Sequence, residues 1–272
     1  MKKLTVLLFA LFAFCSYEAM AWGGWAHKLI AVIAESHLTP EAKEQTEKYL
    51  GSPIYNHASW MDHVPLWTKN RIPGWEQTSW WHMCTVDRVG KKKFVLSDKR
   101  SSKGDGDLYP NLVQCVENLK NYRNLTDSAV TINLKCIIHM VGDMHCPSHA
   151  CYTKDFGYKG HSIYIKGKKI GRHKFWDAGP QYMHPKWKAD RFVKAYDTYS
   201  AKEIKKIVKG NAYKWSVQNA HKIAKTYEYW GKGAEFTKLS KEQRQQIDET
   251  LHEQLAFAGY RLAATLNKIF SK

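Results

Sequence analysis

The chain is organised around the stretch Ile138-His139-Met140-Val141-Gly142-Asp143-Met144-His145-Cys146-Pro147-Ser148-His149. His139 and Asp143 lie four residues apart in a segment, 131–144, whose pattern predicts a helix. That spacing places both side chains on one face, one turn apart. Pro147 ends the helix, and His149 follows it. Two imidazoles and a carboxylate at a helix end are typical of a metal site, although a surface pair or a buried structural histidine gives the same pattern.

The first 21 residues have the pattern of a secretory signal peptide. Two lysines precede an apolar run, residues 4–14, and Ala19-Met20-Ala21 has the A-x-A form of a cleavage site. The apolar run is too short to span a bilayer, so we expect no stable membrane anchor. We therefore expect a signal peptide, residues 1–21, and a single exported domain, residues 22–272, that begins at Trp22.

The predicted mature chain is strongly basic. Removal of Lys2, Lys3 and Glu18 with the signal lowers the formal charge from +17 to +16. Solubility alone needs far less charge. The excess of positive charge favours a polyanionic partner, such as nucleic acid, an anionic lipid surface or a sulfated glycan.

Five cysteines remain after the predicted cleavage, and export permits disulfide bonds between them. An odd number leaves at least one thiol unpaired. Cys136 lies in the apolar helix, where a buried thiol is expected. Cys146 and Cys151 bracket a short loop and could pair, which would leave Cys84–Cys115 as the second bridge.

Helical periodicity runs through nearly the whole chain. Helices are predicted over residues 25–36, from Thr39-Pro40-Glu41 onward, and over 112–122, 131–144, 201–227 and 241–269. The last of these places one apolar stripe along its length: Ile247, Leu251, Leu255, Ala258, Leu262, Leu266 and Ile269. Residues 161–176 differ, because Ser162-Ile163-Tyr164-Ile165 and Lys169-Ile170 flank Gly167 and predict a β-hairpin. The expected fold is a single, mainly α domain with a small β-hairpin.

Further candidate ligands occur in short motifs along the chain. These motifs are Trp22-Gly23-Gly24-Trp25-Ala26-His27, Ser59-Trp60-Met61-Asp62, Trp80-Trp81-His82 and His173-Lys174-Phe175-Trp176-Asp177. A lone histidine beside tryptophans is more often a packing residue than a ligand. Together with His139, Asp143 and His149 of the central stretch, however, the motifs supply five histidines and three carboxylates. That set is large enough for more than one zinc ion.

The order of these motifs resembles that of the secreted trinuclear-zinc, single-strand-specific nucleases of fungi and plants. These enzymes are also called nuclease/3′-nucleotidases. The family has bacterial members, and the family as a whole is related to zinc phospholipases C. The resemblance spans the mature chain and includes Ala258-Gly259-Tyr260-Arg261-Leu262-Ala263. It implies three Zn²⁺ ions and a secreted or periplasmic, monomeric hydrolase. Such an enzyme cleaves single-stranded DNA or RNA to 5′-nucleotides and can also act as a 3′-nucleotidase.

The resemblance also implies a ligand set. One ion takes Asp62, His82, His139 and Asp143, and a second takes Asp143, His27 and the α-amine and carbonyl oxygen of Trp22. The third ion takes His149, His173 and Asp177. Asp62 and Asp143 are then the catalytic carboxylates, with Asp143 as a bridge between two ions. Three further histidines lie near the ligand motifs but match no ligand position: His145, His161 and His184.

Substrate contacts depart from the family pattern. Where the family binds a base with an aromatic residue and an aspartate just after the His82 position, this chain has Met83 and Thr85. Tyr158 precedes the hairpin, where the family has Gly-Gly-Asn. We name Met83, Thr85 and Tyr158 as candidate substrate contacts, and aromatic side chains are available to stack bases.

Two other interpretations stay open at the level of sequence. A zinc phospholipase C that acts on phospholipid head groups shares the fold and the N-terminal tryptophan, but it needs an exposed apolar docking surface more than a charge of +16. A zinc- or nucleic-acid-binding protein without catalysis is the second. Structural zinc sites are typically closed and rich in cysteine, whereas the expected ligands include no cysteine and leave positions open.

Overall fold

The structure is a computed structural model that describes residues 22–64, 74–90, 93–97, 107–152 and 161–271. The helices in these ranges are α1 (Gly24–Ser36), α2 (Pro40–Leu50), α3 (Leu108–Asn118), α4 (Asp127–His145), α5 (Arg172–Asp177), α6 (Gly179–Met183), α7 (Ala189–Tyr196), α8 (Ala201–Ile207), α9 (Ala212–Lys225) and α10 (Lys241–Phe270). The strands are β1 (Cys84–Val89), β2 (Lys93–Leu96), β3 (Ala150–Tyr152), β4 (Ser162–Ile165), β5 (Lys168–Gly171) and β6 (Ala234–Glu235). The predicted signal peptide lies outside the described residues.

The core forms where α1, α4 and α10 pack against one another. Every residue of the predicted α10 stripe is buried, from Ile247 to Ile269. The apolar faces of α1 and α4 complete the same core. The prediction of a mainly α fold is therefore confirmed. Among the described residues, no helix combines the length and the apolarity that a membrane crossing requires.

Local capping explains where several helices begin. The Thr39 hydroxyl accepts a hydrogen bond from Ala42 N at 3.2 Å, and Pro40 starts α2 as predicted. Thr126 caps α4 in the same way, so this helix begins one turn before the predicted residue 131. The single helix predicted over residues 201–227 is wrong. Gly210, with φ +128°, separates α8 from α9 because a left-handed backbone interrupts helical hydrogen bonding.

The predicted hairpin is formed by β4 and β5. Its two-residue turn is Lys166-Gly167, with φ +52° and +74°, the turn geometry that matches the twist of antiparallel strands. The hairpin ends at Gly171, earlier than predicted, and the chain continues as α5. A second sheet, with strand order β2-β1-β3, was not predicted. In that sheet β1 pairs with β3 in parallel, a pairing between distant segments.

Neither predicted disulfide bond is formed. Cys115 and Cys146 are buried free thiols, which excludes both the Cys84–Cys115 and the Cys146–Cys151 bridge. Cys115 on α3 instead faces the thiol of Cys136 on α4. Cys136 is buried, as predicted. The sequence-based pairing failed because it used loop length, whereas helix packing decides which thiols meet.

The contact between α1 and α10 generates a stability prediction. A Cβ atom at Gly259 would lie 2.5 Å from Ile33 Cγ2 and 3.2 Å from the Ile30 carbonyl oxygen. We expect Gly259→Ala to lower the free energy of unfolding by about 1–3 kcal/mol, because overpacking outweighs the better helix propensity of alanine. Urea denaturation measures the difference. Gly231→Ala, where a Cβ meets nothing within 4 Å, is the control, and equal stability of the two variants would contradict the packing argument.

Candidate metal centre

The candidate ligands are far apart in the sequence. The pairing of β1 with β3 and the position of α5 bring them together. His82 and His149 precede β1 and β3, and Cys84 N donates to the His149 carbonyl oxygen at 2.9 Å where these strands begin to pair. The hairpin delivers α5, which carries His173 and Asp177 on one face. Gly23 N donates to the Asp177 carbonyl oxygen at 3.2 Å and ties the start of the described chain to this helix.

The carboxylate of Asp143 lies at the centre of this cluster and is completely buried. Its Oδ1 atom lies 3.1 Å from His27 Nε2 and 3.3 Å from His149 Nδ1. Its Oδ2 atom lies 2.8 Å from His82 Nδ1 and 3.1 Å from His139 Nε2. Each carboxylate oxygen therefore faces two imidazoles, so one aspartate connects histidines from four separate segments.

Gly142 allows α1 to approach α4 closely enough for this arrangement. A Cβ atom at Gly142 would lie 2.7 Å from His27 Nδ1 and 2.8 Å from His27 Cε1. The His27 ring stacks on the His139 ring with 3.9 Å between centroids. A larger residue at position 142 would occupy the space that the His27 ring needs. The sequence contained this signal as a glycine inside a helical pattern, next to Asp143.

A hydrogen bond to the backbone fixes the orientation of His139. Its Nδ1–H donates to the Ala58 carbonyl oxygen at 2.8 Å. Nε2 is then left to face His82 Nδ1 at 3.2 Å and Asp62 Oδ1 at 3.6 Å. Backbone partners of this kind set the tautomer and the ring plane of histidines that ligate metals.

Asp177 anchors the other end of the cluster. His149 Nε2 lies 2.9 Å from His173 Nε2, which in turn lies 3.7 Å from Asp177 Oδ1. Cys146 Sγ lies 3.9 Å from the same Asp177 oxygen. Sequence reasoning did not include Cys146 in this group. No local signal could have found it, because its neighbour Asp177 is on a different helix.

Burial and mutual charge shift the pKa values of these groups strongly. Burial alone would raise the pKa of Asp143, but the imidazoles of His139 and His149 lower it well below its ordinary value. Burial, opposed by His139 and reinforced by Asp143, raises the pKa of Asp62 to about 8. Burial lowers the pKa of His27 to about 3, helped by the nearby His139. The imidazole of His27 is therefore neutral, which is the form that binds a metal ion.

The donor atoms fit cations. Several candidate ligands carry a buried side-chain atom that has no hydrogen-bond partner among the described residues, including His27 Nδ1, Asp62 Oδ2, His82 Nε2 and Asp177 Oδ2. Buried polar atoms are normally satisfied, and imidazole and carboxylate are zinc donors. Three groups bring one donor atom from each member to within 4.8 Å of one another. They are His27, His139 and Asp143; Asp62, His82 and His139; and Cys146, His149 and Asp177.

Comparison with known proteins agrees with this geometry. The sequence model described as S1/P1 nuclease matches residues 22–271. The chain belongs to the S1/P1 nuclease family. It is 24% identical to Nuclease S1 of Aspergillus oryzae over 279 residues, which cover 92% of each chain. It is 21% identical to Endonuclease 5 of Arabidopsis thaliana over 289 residues, covering 94% of this chain and 92% of that one.

A third relative, Endonuclease 3 of Arabidopsis thaliana, is 21% identical over 164 residues. That match spans 58% of this chain and 54% of the relative, so it covers only about half of the relative's length. Family membership supports a nuclease, and hence hydrolase, activity with nucleic acid as the substrate. The three donor groups lie within the matched residues.

The structure also describes the surroundings of several other predicted residues of this S1/P1 family member. Trp22 is completely buried beside the cluster. Met83 directly follows His82, and Thr85 lies in β1, where its backbone N–H donates to Asp107 Oδ2 at 2.7 Å. Both side chains are partly buried. Tyr158 lies outside the described residues, so its suggested contact stays a prediction.

His145 and His184 belong to none of the three donor groups found among the described residues. His184 Nε2 lies 2.7 Å from Asp248 Oδ1, and both side chains are partly buried. His145 Nδ1–H donates to the Val141 carbonyl oxygen at 2.7 Å, and its Nε2 accepts from the Arg261 guanidinium at 2.8 Å. Arg261 thereby links α10 to the end of α4 that carries Asp143. The family resemblance included Arg261, but the sequence did not indicate its partner.

Gly142 generates a prediction that concerns binding and not stability alone. We expect Gly142→Ala to weaken zinc binding by at least roughly tenfold. The new methyl group forces His27 away from Asp143, and changes that disturb the position of a metal ligand typically lower the affinity by this factor. Titration of the metal-free protein, followed by isothermal calorimetry, measures the affinity. Ser128→Ala at an exposed position of the same helix is the control. Equal affinities in both variants would refute the role of Gly142.

Proposed function

We propose that this S1/P1 family member is an exported, monomeric, zinc-dependent phosphodiesterase. It cleaves single-stranded DNA or RNA to 5′-nucleotides and can also remove 3′-phosphates. The observation that carries the proposal is the buried Asp143 carboxylate, whose two oxygens face four imidazoles. A second and a third buried carboxylate, Asp62 and Asp177, flank this centre.

The proposed ligand set holds three Zn²⁺ ions. Asp62, His82, His139 and Asp143 hold one, and Asp143, His27 and the N-terminus of Trp22 hold another. His149, His173 and Asp177 hold the last. Zinc bound there supplies Lewis-acid chemistry: it makes water more acidic at neutral pH and stabilises the charge that develops on phosphate oxygens.

The side chains themselves provide order and charge. Asp143 stays ionised because the imidazoles of His139 and His149 lower its pKa, so it supplies a fixed negative charge at the centre of the cluster. Asp62, whose pKa is raised to about 8 mainly by burial, holds a proton at neutral pH until a cation approaches its carboxylate. The buried positions of both residues exclude bulk water, which strengthens their interaction with charged groups.

Aromatic and basic side chains next to the centre suit a single-stranded substrate. Trp60 and Trp81 are partly buried and adjoin Asp62 and His82 in sequence. Lys135 Nζ lies 5.3 Å from the centre of the Trp60 ring. Aromatic faces stack bases of any sequence, and positive charge attracts the phosphate backbone. Met83 and Thr85 adjoin the same region, and Tyr158 is the third proposed contact.

The proposal is tested by an assay for acid-soluble nucleotides released from single-stranded DNA and RNA, with and without a chelator. We expect Asp143→Asn to lower turnover by at least roughly 100-fold and to reduce bound zinc, because the substitution removes a negative charge that both ions need. Asp248→Asn, in the pair with His184, should leave turnover unchanged.

Several outcomes of that assay would argue against the proposal. A folded Asp143→Asn variant with normal turnover would exclude the shared-carboxylate centre. Activity that persists in chelator would exclude metal dependence. Phosphatidylcholine, included as a separate substrate, tests the phospholipase interpretation. If the protein cleaves this lipid in preference to nucleic acid, its activity is that of a phospholipase and the proposed nuclease function is wrong.

A further prediction concerns the proposed cleavage after Ala21. The nitrogen of Trp22 can ligate zinc only as a free α-amine, because the amide nitrogen of the uncleaved chain is planar and a poor donor. A free α-amine has an ordinary pKa near 7.7–8.0, so the amine of Trp22 must lose a proton to bind the ion. We expect one additional N-terminal glycine before Trp22 to remove one zinc ion and most activity. Zinc content and nuclease rate of the two preparations are the measurements, and identical values would exclude Trp22 as a ligand.

A further inference from the structure

Cys146 occupies an unusual position for a thiol that forms no disulfide. It is the first residue after α4 and is completely buried. Its Sγ atom lies 3.9 Å from Asp177 Oδ1. Donor atoms of Cys146, His149 and Asp177 all lie within 4.8 Å of one another. The thiol therefore faces the centre and not the hydrophobic core alone.

A second observation points to a ligand at this position. Asp177 Oδ2 is buried, and no described residue forms a hydrogen bond with it. The other oxygen of the same carboxylate, Oδ1, lies 3.7 Å from His173 Nε2 and 3.9 Å from Cys146 Sγ. A cation next to Asp177 would satisfy the orphaned oxygen and would lie within reach of the sulfur.

The distances suit a shared metal ion. Zinc binds sulfur at about 2.3 Å and carboxylate oxygen at about 2.0–2.2 Å, so tetrahedral geometry separates the two donor atoms by roughly 3.6 Å. The observed separation of 3.9 Å differs from that value by a few tenths of an ångström. A small rotation of either side chain closes the difference.

Two backbone groups hold the Cys146 sulfur in place, because the N–H groups of Ser148 and Trp22 both donate to it. Burial and the negative charge of Asp177 outweigh these hydrogen bonds and raise the pKa of the Cys146 thiol well above its ordinary value. Cys136 on α4 is also buried, but its thiol faces the Cys115 thiol and belongs to none of the three donor groups found among the described residues. The two thiols therefore form a natural comparison.

We infer that the Cys146 thiolate is a protein ligand of the metal ion held by His149, His173 and Asp177. This inference rests on the proposed metal-dependent function. On binding, the sulfur–zinc bond forms as the S–H bond breaks, and the proton passes to solvent without any change of oxidation state. Two imidazoles, one carboxylate and one thiolate complete a tetrahedron. The ion at this site is then held more tightly and is less open than its neighbours.

Cobalt substitution tests the inference without an activity assay. Co²⁺ replaces zinc in the protein after chelator treatment, and absorption spectra are recorded for wild type, Cys146→Ser and Cys136→Ala. A thiolate ligand produces a sulfur-to-cobalt charge-transfer band in the near ultraviolet, whereas nitrogen and oxygen ligands give only visible d–d bands. We expect this band in wild type and Cys136→Ala and its loss in Cys146→Ser. Cobalt affinity at this site should fall by roughly tenfold or more in Cys146→Ser.

Each remaining outcome has a defined meaning. If wild type binds cobalt and shows d–d bands without the charge-transfer band, Cys146 is not a ligand, and the proposed metal-dependent function stands. If Cys146→Ser keeps the band, or Cys136→Ala loses it, the assignment is also wrong. If wild type binds no cobalt and no zinc, the inference and the proposed function fail together. Circular dichroism establishes that Cys146→Ser is folded, and Cys146→Ala provides a second test at the same position.

Discussion

The interaction on which the rest of the structure depends is the burial of the Asp143 carboxylate among His27, His82, His139 and His149. An ionised carboxylate without solvent is costly unless charged or polar partners surround it. Here both oxygens have such partners, and the partners come from α1, α4 and the residues before β1 and β3. The negative end of the α4 dipole also favours cations at this place. The centre therefore links local electrostatics to the packing of distant segments.

The packing of these segments depends on close contacts between helices at glycine residues, where a larger side chain would not fit. Gly259 allows α10 to touch Ile33 on α1, and Gly142 allows His27 to lie against α4. Arg261 then connects α10 to His145 at the end of α4. A shift of α10 is consequently transmitted to the helix that carries Asp143. Tight packing of the core and precise placement of the ligands are thus two consequences of the same helix contacts.

Sequence predicted those features that depend on local pattern. The α10 stripe, the Thr39 cap and the Gly167 turn follow from periodicity and backbone preference, and the structure contains all three. The pairing of β1 with β3 could not be predicted, because β3 has three residues and its partner is distant. Cys146 was missed for the same reason, since its contact with Asp177 depends on how α5 packs. The assumption that the donor set contains no cysteine came from family resemblance and did not consider this contact.

Asp62 and Asp177, the two carboxylates that flank Asp143, explain why a cation would stabilise this centre. Asp62 and Asp177 are both buried, and burial is the largest cause of their raised pKa values. Burial disfavours a negative charge at both positions, and each such charge would add to that of Asp143. Bound metal ions reverse this balance, because they favour the ionised carboxylate and the neutral imidazole at once. Because the candidate ligands lie on separate helices and loops, metal binding would also stabilise the native packing of these segments relative to the unfolded chain.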